Sequence, residues 1–290
     1  MNLLVETARP KVNLTLRILG RRDDGYHALE SLVAFAAVPS DRLTLDPARP
    51  RAVTVTGPFA GGIAGANLIE TVFDLVALAE PRARLGHITL EKYLPIAAGI
   101  GGGSADAAAA LRLLRRLNPD LAPGIEWPAI ARRLGADVPV CLFDQPANMS
   151  GTGERLEPVE TLPATDVVLA NPMVPVPADK TAQVFRALAA PPLASGPAVS
   201  KPPPRLTGRM ELLRRVQGGN DLEPAARKVV PAIGTVLDAL RALPECRVAA
   251  MSGAGPTCFG LFDDARAAAA AAADLTRAEP GWWVQATVLE

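Results

Sequence analysis

The sequence predicts an α+β protein of two lobes, and three observations carry that prediction. At 290 residues the chain is longer than most single domains, which leaves room for two packed lobes or one large α/β unit. Its first hundred residues open on short aliphatic and β-branched runs and then alternate strand-like with helix-like patterns. After about residue 150 a second set of mixed elements begins, so the expected division is 1–150 and 151–290.

Residues 12–19, 31–38, 42–45 and 52–56 read as strands, separated by turn clusters such as Arg22-Asp23-Asp24-Gly25. From Asn67 to Ala79, Leu68, Ile69, Val72, Phe73, Leu75, Val76 and Leu78 recur at helical spacing, with Asn67 as N-cap and Glu70 three residues on. His87 to Tyr93 reads as a strand. A glycine-rich turn follows, and then an alanine- and leucine-rich helix from Ser104 to Leu117 with Arg112, Arg115 and Arg116 on its exposed side. Trp127 to Leu134 is a shorter helix ending at Gly135, where a left-handed terminal residue is expected. In the second half, Val167 to Ala170 and Val248 to Ala250 read as strands, and Asp221 to Val229, Ala232 to Leu243 and Asp264 to Asp274 as helices. Six prolines between Ala190 and Thr207 exclude regular structure and mark a loop inserted in the second lobe.

Composition excludes several function classes. Lys plus Arg equals Asp plus Glu at 30 each, with no basic block, so the footprint of a nucleic-acid binder is missing. No uncharged and uniformly apolar run reaches the ~20 residues of a membrane helix, and residues 1–12 lack the pattern of a signal peptide. Cys141, Cys246 and Cys258 are odd in number and far apart, which predicts neither disulfides nor a zinc site and fits buried thiols in a reducing cytoplasm. No all-protein metal site is visible.

Pro95-Ile96-Ala97-Ala98-Gly99-Ile100-Gly101-Gly102-Gly103-Ser104-Ala105-Asp106 carries the chemistry. Glycines permit left-handed backbone and let amides approach an anion without Cβ interference. The helix that follows adds its positive N-terminal end, so the segment is built as a phosphate cradle. A tight strand-to-helix connection is the plain alternative. The Walker P-loop needs a Lys after its glycines, and none is present. A dinucleotide fingerprint needs an acidic residue about 20 positions on, where this chain has a helix end at Leu117-Asn118-Pro119-Asp120.

At these residues the sequence resembles the GHMP kinase superfamily, whose second motif is Pro-x-x-x-Gly-Leu-Gly-Ser-Ser-Ala. Further matches select a branch: Ala8-Arg9-Pro10-Lys11-Val12-Asn13-Leu14, Gly20-Arg21-Arg22-Asp23-Asp24-Gly25-Tyr26-His27, Gly135-Ala136-Asp137-Val138-Pro139 and Met251-Ser252-Gly253-Ala254-Gly255-Pro256-Thr257-Cys258-Phe259. These resemble the branch that phosphorylates the 2-hydroxyl of 4-diphosphocytidyl-2-C-methyl-D-erythritol, in the non-mevalonate route to isopentenyl diphosphate. The resemblance runs from residue 8 to about residue 262. It implies an N-terminal lobe like ribosomal protein S5 domain 2, with a left-handed βαβ unit, and a C-terminal ferredoxin-like lobe.

The resemblance also implies roles. Asp137 would take the substrate hydroxyl's proton, and Lys11 would lie beside it and help the hydroxyl become an alkoxide. Taken alone, Asp137 reads first as an N-cap or turn residue before Val138-Pro139, and Lys11 as a solvated surface charge. Asn13, two positions from Lys11 on one strand face, would orient Lys11 or a water. Tyr26 would stack on the cytosine, His27 would read its edge, and Phe185 with Thr181 resembles the second stacking element, although residues 175–180 exceed the family's usual spacing; ordinary core aromatics at 26 and 185 are the alternative. Pro95 to Ala105 would wrap the triphosphate of ATP, and Asn67 and Lys92 resemble residues near the adenine pocket. Ile100 replaces the usual Leu, and Ala105 replaces a common second Ser, removing a hydroxyl. Mg²⁺ is expected to arrive with the nucleotide. The Ser252 to Thr257 turn would pack near the phosphate loop, a simple hairpin turn being the alternative.

These implications describe a cytoplasmic enzyme, a monomer or weak homodimer, whose partner is a small molecule bearing a cytidine diphosphate group, with neither nucleic acid nor membrane. Another GHMP kinase acting on a mevalonate-like alcohol remains open, as does a non-catalytic ligand sensor on the same fold. The Tyr26-His27 pair argues against the former and the Lys11 and Asp137 pair against the latter.

Overall fold

The computed structural model describes residues 2–62, 67–193 and 205–290, so residues 194–204 of the proline-rich segment lie outside the described residues. In chain order the strands are β1 (Leu4–Ala8), β2 (Lys11–Asn13), β3 (Arg17–Arg21), β4 (His27–Phe35), β5 (Asp41–Asp46), β6 (Ala52–Thr56), β7 (His87–Glu91), β8 (Ala147–Gly151), β9 (Arg155–Pro158), β10 (Thr165–Asn171), β11 (Val248–Met251), β12 (Cys258–Leu261) and β13 (Trp283–Leu289). The helices are α1 (Leu68–Ala79), α2 (Gly102–Leu117), α3 (Trp127–Leu134), α4 (Val138–Phe143), α5 (Lys180–Leu188), α6 (Arg209–Gln217), α7 (Glu223–Val229), α8 (Ala232–Ala242) and α9 (Ala265–Ala278). The architecture is α+β. Two compact units divide it: Met1–Lys11, Pro39–Ile96 and Gly101–Asp144 form one, and Val12–Val38, Ala97–Ile100 and Gln145–Glu290 the other.

The first unit is built on a sheet of order β1-β5-β7-β6. β6 and β7 run parallel, Ala52 opposite His87, and α1 connects them as the crossover of a βαβ unit. In β5 the inward positions are Asp41, Leu43 and Leu45, so a carboxylate shares the core-facing side of an alternating strand. α1 starts as expected: the Asn67 side chain accepts from the Ile69 amide at 2.9 Å, and Ile69, Val72, Phe73 and Val76 form its buried stripe.

α2 differs from expectation at both ends of its polar face. It begins at Gly102, so two of the three consecutive glycines form its first turn, where no i−4 hydrogen bond is lost. Arg112 is only half-exposed. It pairs with Glu6 and donates to the carbonyls of Thr7 at 2.8 Å and Cys141 at 2.7 Å, fastening the end of β1 to α4. Arg115 and Arg116 are exposed as expected. Gly135 after α3 is extended, φ 157° and ψ 161°, rather than left-handed, because the chain turns straight into α4.

The second unit carries two sheets, one of order β2-β4-β8-β9 with β3 paired to β4, and one of order β11-β12-β10-β13. β10 explains the unit's core. Val167 and Leu169 point into one apolar cluster and Val168 and Ala170 into another, so this central strand is buried on both faces and reads as a continuous apolar run. α8 and α9 cover one face through Ile233, Val236, Leu237 and Leu240, and through Ala267, Ala268, Ala271 and Leu275. Asp264 caps α9 by accepting from the Ala267 amide at 2.8 Å.

Candidate active site

In the first unit, Lys11 and Asp137 meet. Lys11 Nζ lies 3.1 Å from Asp137 Oδ1, with the lysine side chain 4 % exposed and the aspartate 37 %. The pairing follows from the fasteners around it. Arg9 donates to Asp144 Oδ1 at 3.1 Å and to its carbonyl at 2.7 Å, and Arg112 reaches Thr7 and Cys141. The end of β1, which leads into Lys11, is thereby held against α4, which Asp137 precedes. Asp137 occupies the N-cap position of α4, yet its side chain makes no capping hydrogen bond. Its carboxylate faces the ammonium instead, which removes the plain capping explanation.

Gly101 joins this pair to the glycine-rich loop. Its φ is +66°, and a Cβ there would stand 2.7 Å from Lys11 Cγ. Backbone conformation and space both demand glycine at this position. Gly101 is also the N-cap of α2, where it supplies no side chain to the first-turn amides, although its carbonyl accepts from Ala105 at 2.8 Å. The orphan amides and the positive end of a sixteen-residue helix therefore lie next to the Lys11 and Asp137 pair, an arrangement that favours anions. Gly103 is exposed, and Gly102 and Ser104 are half-buried. Ala105 is buried at 3 % exposure and its amide is already bonded, so the hydroxyl that a serine would place here would enter the packed face of α2.

Beneath the first turn of α2 sits Lys92. Its Nζ lies 2.5 Å from Asp41 Oδ2 and 2.6 Å from Asp106 Oδ2, and a Cβ on Gly102 would be 3.3 Å from it. Asp41 Oδ1 also accepts from the amides of Tyr93, at 2.6 Å, and Leu94, at 2.8 Å. Burial alone would push the Lys92 ammonium down, but Asp106 and Asp41 more than offset it and hold it above its ordinary value. Burial pushes the Asp106 carboxyl up to about 7 against the pull of Lys92, and Asp106 Oδ1 is without a hydrogen-bond partner. The Lys92 side chain is thus spent on two carboxylates. Asn67 is likewise spent on its cap.

The second unit holds the middle of the glycine-rich loop, Ala97 to Ile100. Ala97 adopts φ 54° and Gly99 φ 82°. A Cβ on Gly99 would lie 2.5 Å from the Gly255 carbonyl oxygen, so the loop packs backbone to backbone on the 252–257 turn between β11 and β12. Ser252 Oγ donates to Gly99 O at 3.1 Å and accepts from the Asn13 amide at 3.1 Å, and the Thr257 amide donates to Ala98 O at 3.0 Å. The expected neighbourhood of these two glycine motifs is present. Ile100 is fully buried and fits as a packing residue; Pro95 is buried, whereas Ile96 and Ala97 are exposed. Asn13 donates through its side-chain amide to Ser31 Oγ at 2.8 Å.

His27 and Phe185 stack in the same unit, ring centroids 4.7 Å apart and planes at 27°. Burial and then the charge of Arg21 hold the His27 imidazolium below its ordinary pKa, so the neutral ring predominates at pH 7. Tyr26 is 65 % exposed at the end of the Arg22 to Gly25 turn, which rules out a core role. Thr181 is exposed on the first turn of α5, one turn before Phe185. Three groups in the site escaped sequence reasoning. Asp106 had a signal, as the lone acid within an alanine stripe; Asp41 and Lys180 had none. Among the described residues no cluster of three or more His, Cys, Asp or Glu side chains could hold a metal ion, and no helix is long and apolar enough to cross a membrane.

The sequence matches the family model of the GHMP kinases N terminal domain over residues 67–151 and that of GHMP kinases C terminal over residues 202–280. The chain belongs to the GHMP kinase family. This GHMP kinase is 51 % identical, over the full length of both chains, to a protein of Methylobacterium radiotolerans named 4-diphosphocytidyl-2-C-methyl-D-erythritol kinase. It also superimposes on a crystal structure of 4-(cytidine 5'-diphospho)-2C-methyl-D-erythritol kinase with a TM-score of 0.74 and 34 % identity, covering 99 % of each chain. An L. major mevalonate kinase crystallised with R-mevalonate shares the fold, at a TM-score of 0.68, 15 % identity and coverage of 99 % of this GHMP kinase and 96 % of that chain. Fold alone therefore does not choose the alcohol.

Proposed function

We propose that the chain transfers the γ-phosphoryl group of ATP to the 2-hydroxyl of 4-diphosphocytidyl-2-C-methyl-D-erythritol, giving ADP and the 2-phosphate, within the non-mevalonate route to isopentenyl diphosphate. The observation that carries the chemistry is the Lys11 and Asp137 pair packed against Gly101. The half-exposed Asp137 carboxylate accepts the hydroxyl proton. Lys11, almost fully buried, pairs with that carboxylate and stabilises the alkoxide as it forms. Amides of Gly102, Gly103 and Ser104 at the uncapped start of α2 compensate the charge of the phosphates. Mg²⁺ supplies further neutralisation of the phosphates. The side-chain oxygens near this helix start are few, those of the half-buried Ser104 and Asp137, which fits an ion that would be held mainly by nucleotide and water.

For the cytidine end, the neutral His27 ring has one donor and one acceptor, which matches the amino group and ring nitrogen on the cytosine edge. Phe185 holds that ring by stacking, and exposed Tyr26 offers its face to the base. Asn13 and Thr181 complete the substrate side. Asn67 and Lys92 serve the adenine end as framework, since their side chains are engaged within the protein. The functional division follows chain order, with the base and phosphate loop in 1–150 and the second substrate contact in 151–290.

The test is ADP release by the purified protein with ATP and Mg²⁺, offered either the cytidyl substrate or mevalonate. Release with the cytidyl substrate and none with mevalonate is expected. Release with mevalonate alone would overturn the substrate, and release with neither would favour a binding-only protein.

A further inference from the structure

One buried charge in the second unit has no part in the chemistry above. Lys180, the first residue of α5, is 4 % exposed. Its Nζ donates to the carbonyl of Ala97 at 3.1 Å and to that of Gly255. The first carbonyl belongs to the glycine-rich loop, at a residue held with φ 54°; the second belongs to the 252–257 turn, at φ 68°. Among the described residues no carboxylate lies within ion-pair distance of Lys180. The acid next to it in sequence, Asp179, is engaged by Gln183 at 2.7 Å and Arg186 at 3.0 Å. Burial pushes the pKa of the ammonium down to about 8. An isolated protein gains nothing from a buried cation without a counter-ion. A polyanion on the loop would supply one.

We propose that Lys180 is a positioning residue for the nucleotide's phosphates: it ties the Ala97 and Gly255 carbonyls together and places an uncompensated positive charge behind the loop. This rests on the reading of residues 95–105 as the phosphate loop. It adds a cation from α5, bonded to the Ala97 part of the loop in the same unit, that draws the triphosphate electrostatically. Asp179 and Arg186 neutralise each other at the surface, so the charge felt by a bound phosphate is that of Lys180.

The experiment measures ATP affinity by calorimetry, without the alcohol substrate, for wild type, Lys180→Met and Lys180→Arg between pH 6.5 and 9.5. Wild type is expected to lose affinity above about pH 8; phosphate oxygens, whose second ionisation lies near pH 6, are already charged there. Lys180→Met should bind about tenfold more weakly at pH 7 and show no alkaline loss. Lys180→Arg keeps its charge throughout and should bind at pH 9.5 as at pH 7. The sign for folding is opposite. In the unfolded chain this lysine titrates at its ordinary value of 10.5, so between about pH 8 and 10.5 the unfolded state binds more protons and stability rises with pH. Wild type should show that rise relative to Lys180→Met in urea melts, a readout that needs no nucleotide.

Equal ATP affinity in wild type and Lys180→Met, with wild type binding, would overturn the proposal. A wild-type affinity flat across the pH range would also overturn it, even if Lys180→Met does not fold. Failure of wild type itself to bind ATP would instead sink the phosphate-loop reading.

Discussion

Replacing Gly101 by alanine tests whether one backbone position governs both the fold of the loop and the chemistry beside it. The added Cβ would stand 2.7 Å from Lys11 Cγ and 3.2 Å from its Cε. Carbon atoms rest at about 3.5–4.0 Å, so the lysine stem or the loop must retreat by about 1 Å. Alanine at φ 66° adds about 1–2 kcal/mol of left-handed strain, and overpacking adds about 1–3 kcal/mol. A total near 2–5 kcal/mol lowers the melting temperature by roughly 3–8 °C in a chain of this size. Because Lys11 Nζ meets Asp137 at 3.1 Å, the same displacement opens the pair, and a misplacement of about 1 Å costs about 10²-fold in kcat. Gly103→Ala is the control: its Cβ meets nothing within 4 Å and its φ is not positive, so the ligand-free protein should melt at the same temperature or higher. Scanning calorimetry and ADP-release kinetics on both variants make the comparison. A Gly101→Ala protein that melts like wild type would refute the packing argument. One that melts lower but turns over normally would refute the link from Gly101 through Lys11 to catalysis.

Three further outcomes are expected. Asp137→Asn keeps the shape and removes the proposed base, so turnover should fall by about 10²–10⁴ while calorimetric ATP affinity barely changes; normal turnover would remove Asp137 from that role. Lys92→Met leaves Asp41 and Asp106 buried without their cation and should destabilise the chain by about 3–5 kcal/mol in urea melts, and a loss below about 1 kcal/mol would mean that the carboxylates are not both charged. Phe185→Ala removes the stack on His27 and should raise KM for the cytidyl substrate about tenfold, from lost stacking and burial, with KM for ATP unchanged. An equal rise in both constants would point to a general disturbance of α5 instead.

Local demands explain what the sequence disclosed. The Asn67 cap, the stripe of α1 and the limits of α3 each depend on neighbours within one or two turns, and the structure places them at the residues expected. The continuous apolar run of β10 is likewise self-contained, although which cluster each side chain enters depends on β12 and β13. Long-range contacts explain what it concealed. Arg112 belongs to the polar side of α2 by spacing, yet its guanidinium finds two carbonyls supplied by β1 and α4. Asp41 is legible only as a turn residue before a strand; its burial is decided by Lys92 from the far end of β7.

The site mixes both kinds of information, and Gly101 shows how. Its left-handed φ is a local demand of a loop entering a helix, and a cluster of glycines announces it. Its lack of a side chain is required by Lys11, far earlier in the chain, and no pattern around residue 101 reveals that partner. The family motifs supplied it, since they name Lys11 and Asp137 together without explaining why they meet. The explanation lies in the arginines at 9 and 112, which bring β1 to α4. Substituting Arg112, which lies outside the family motifs, would therefore disturb the proposed base without touching any residue of the motifs.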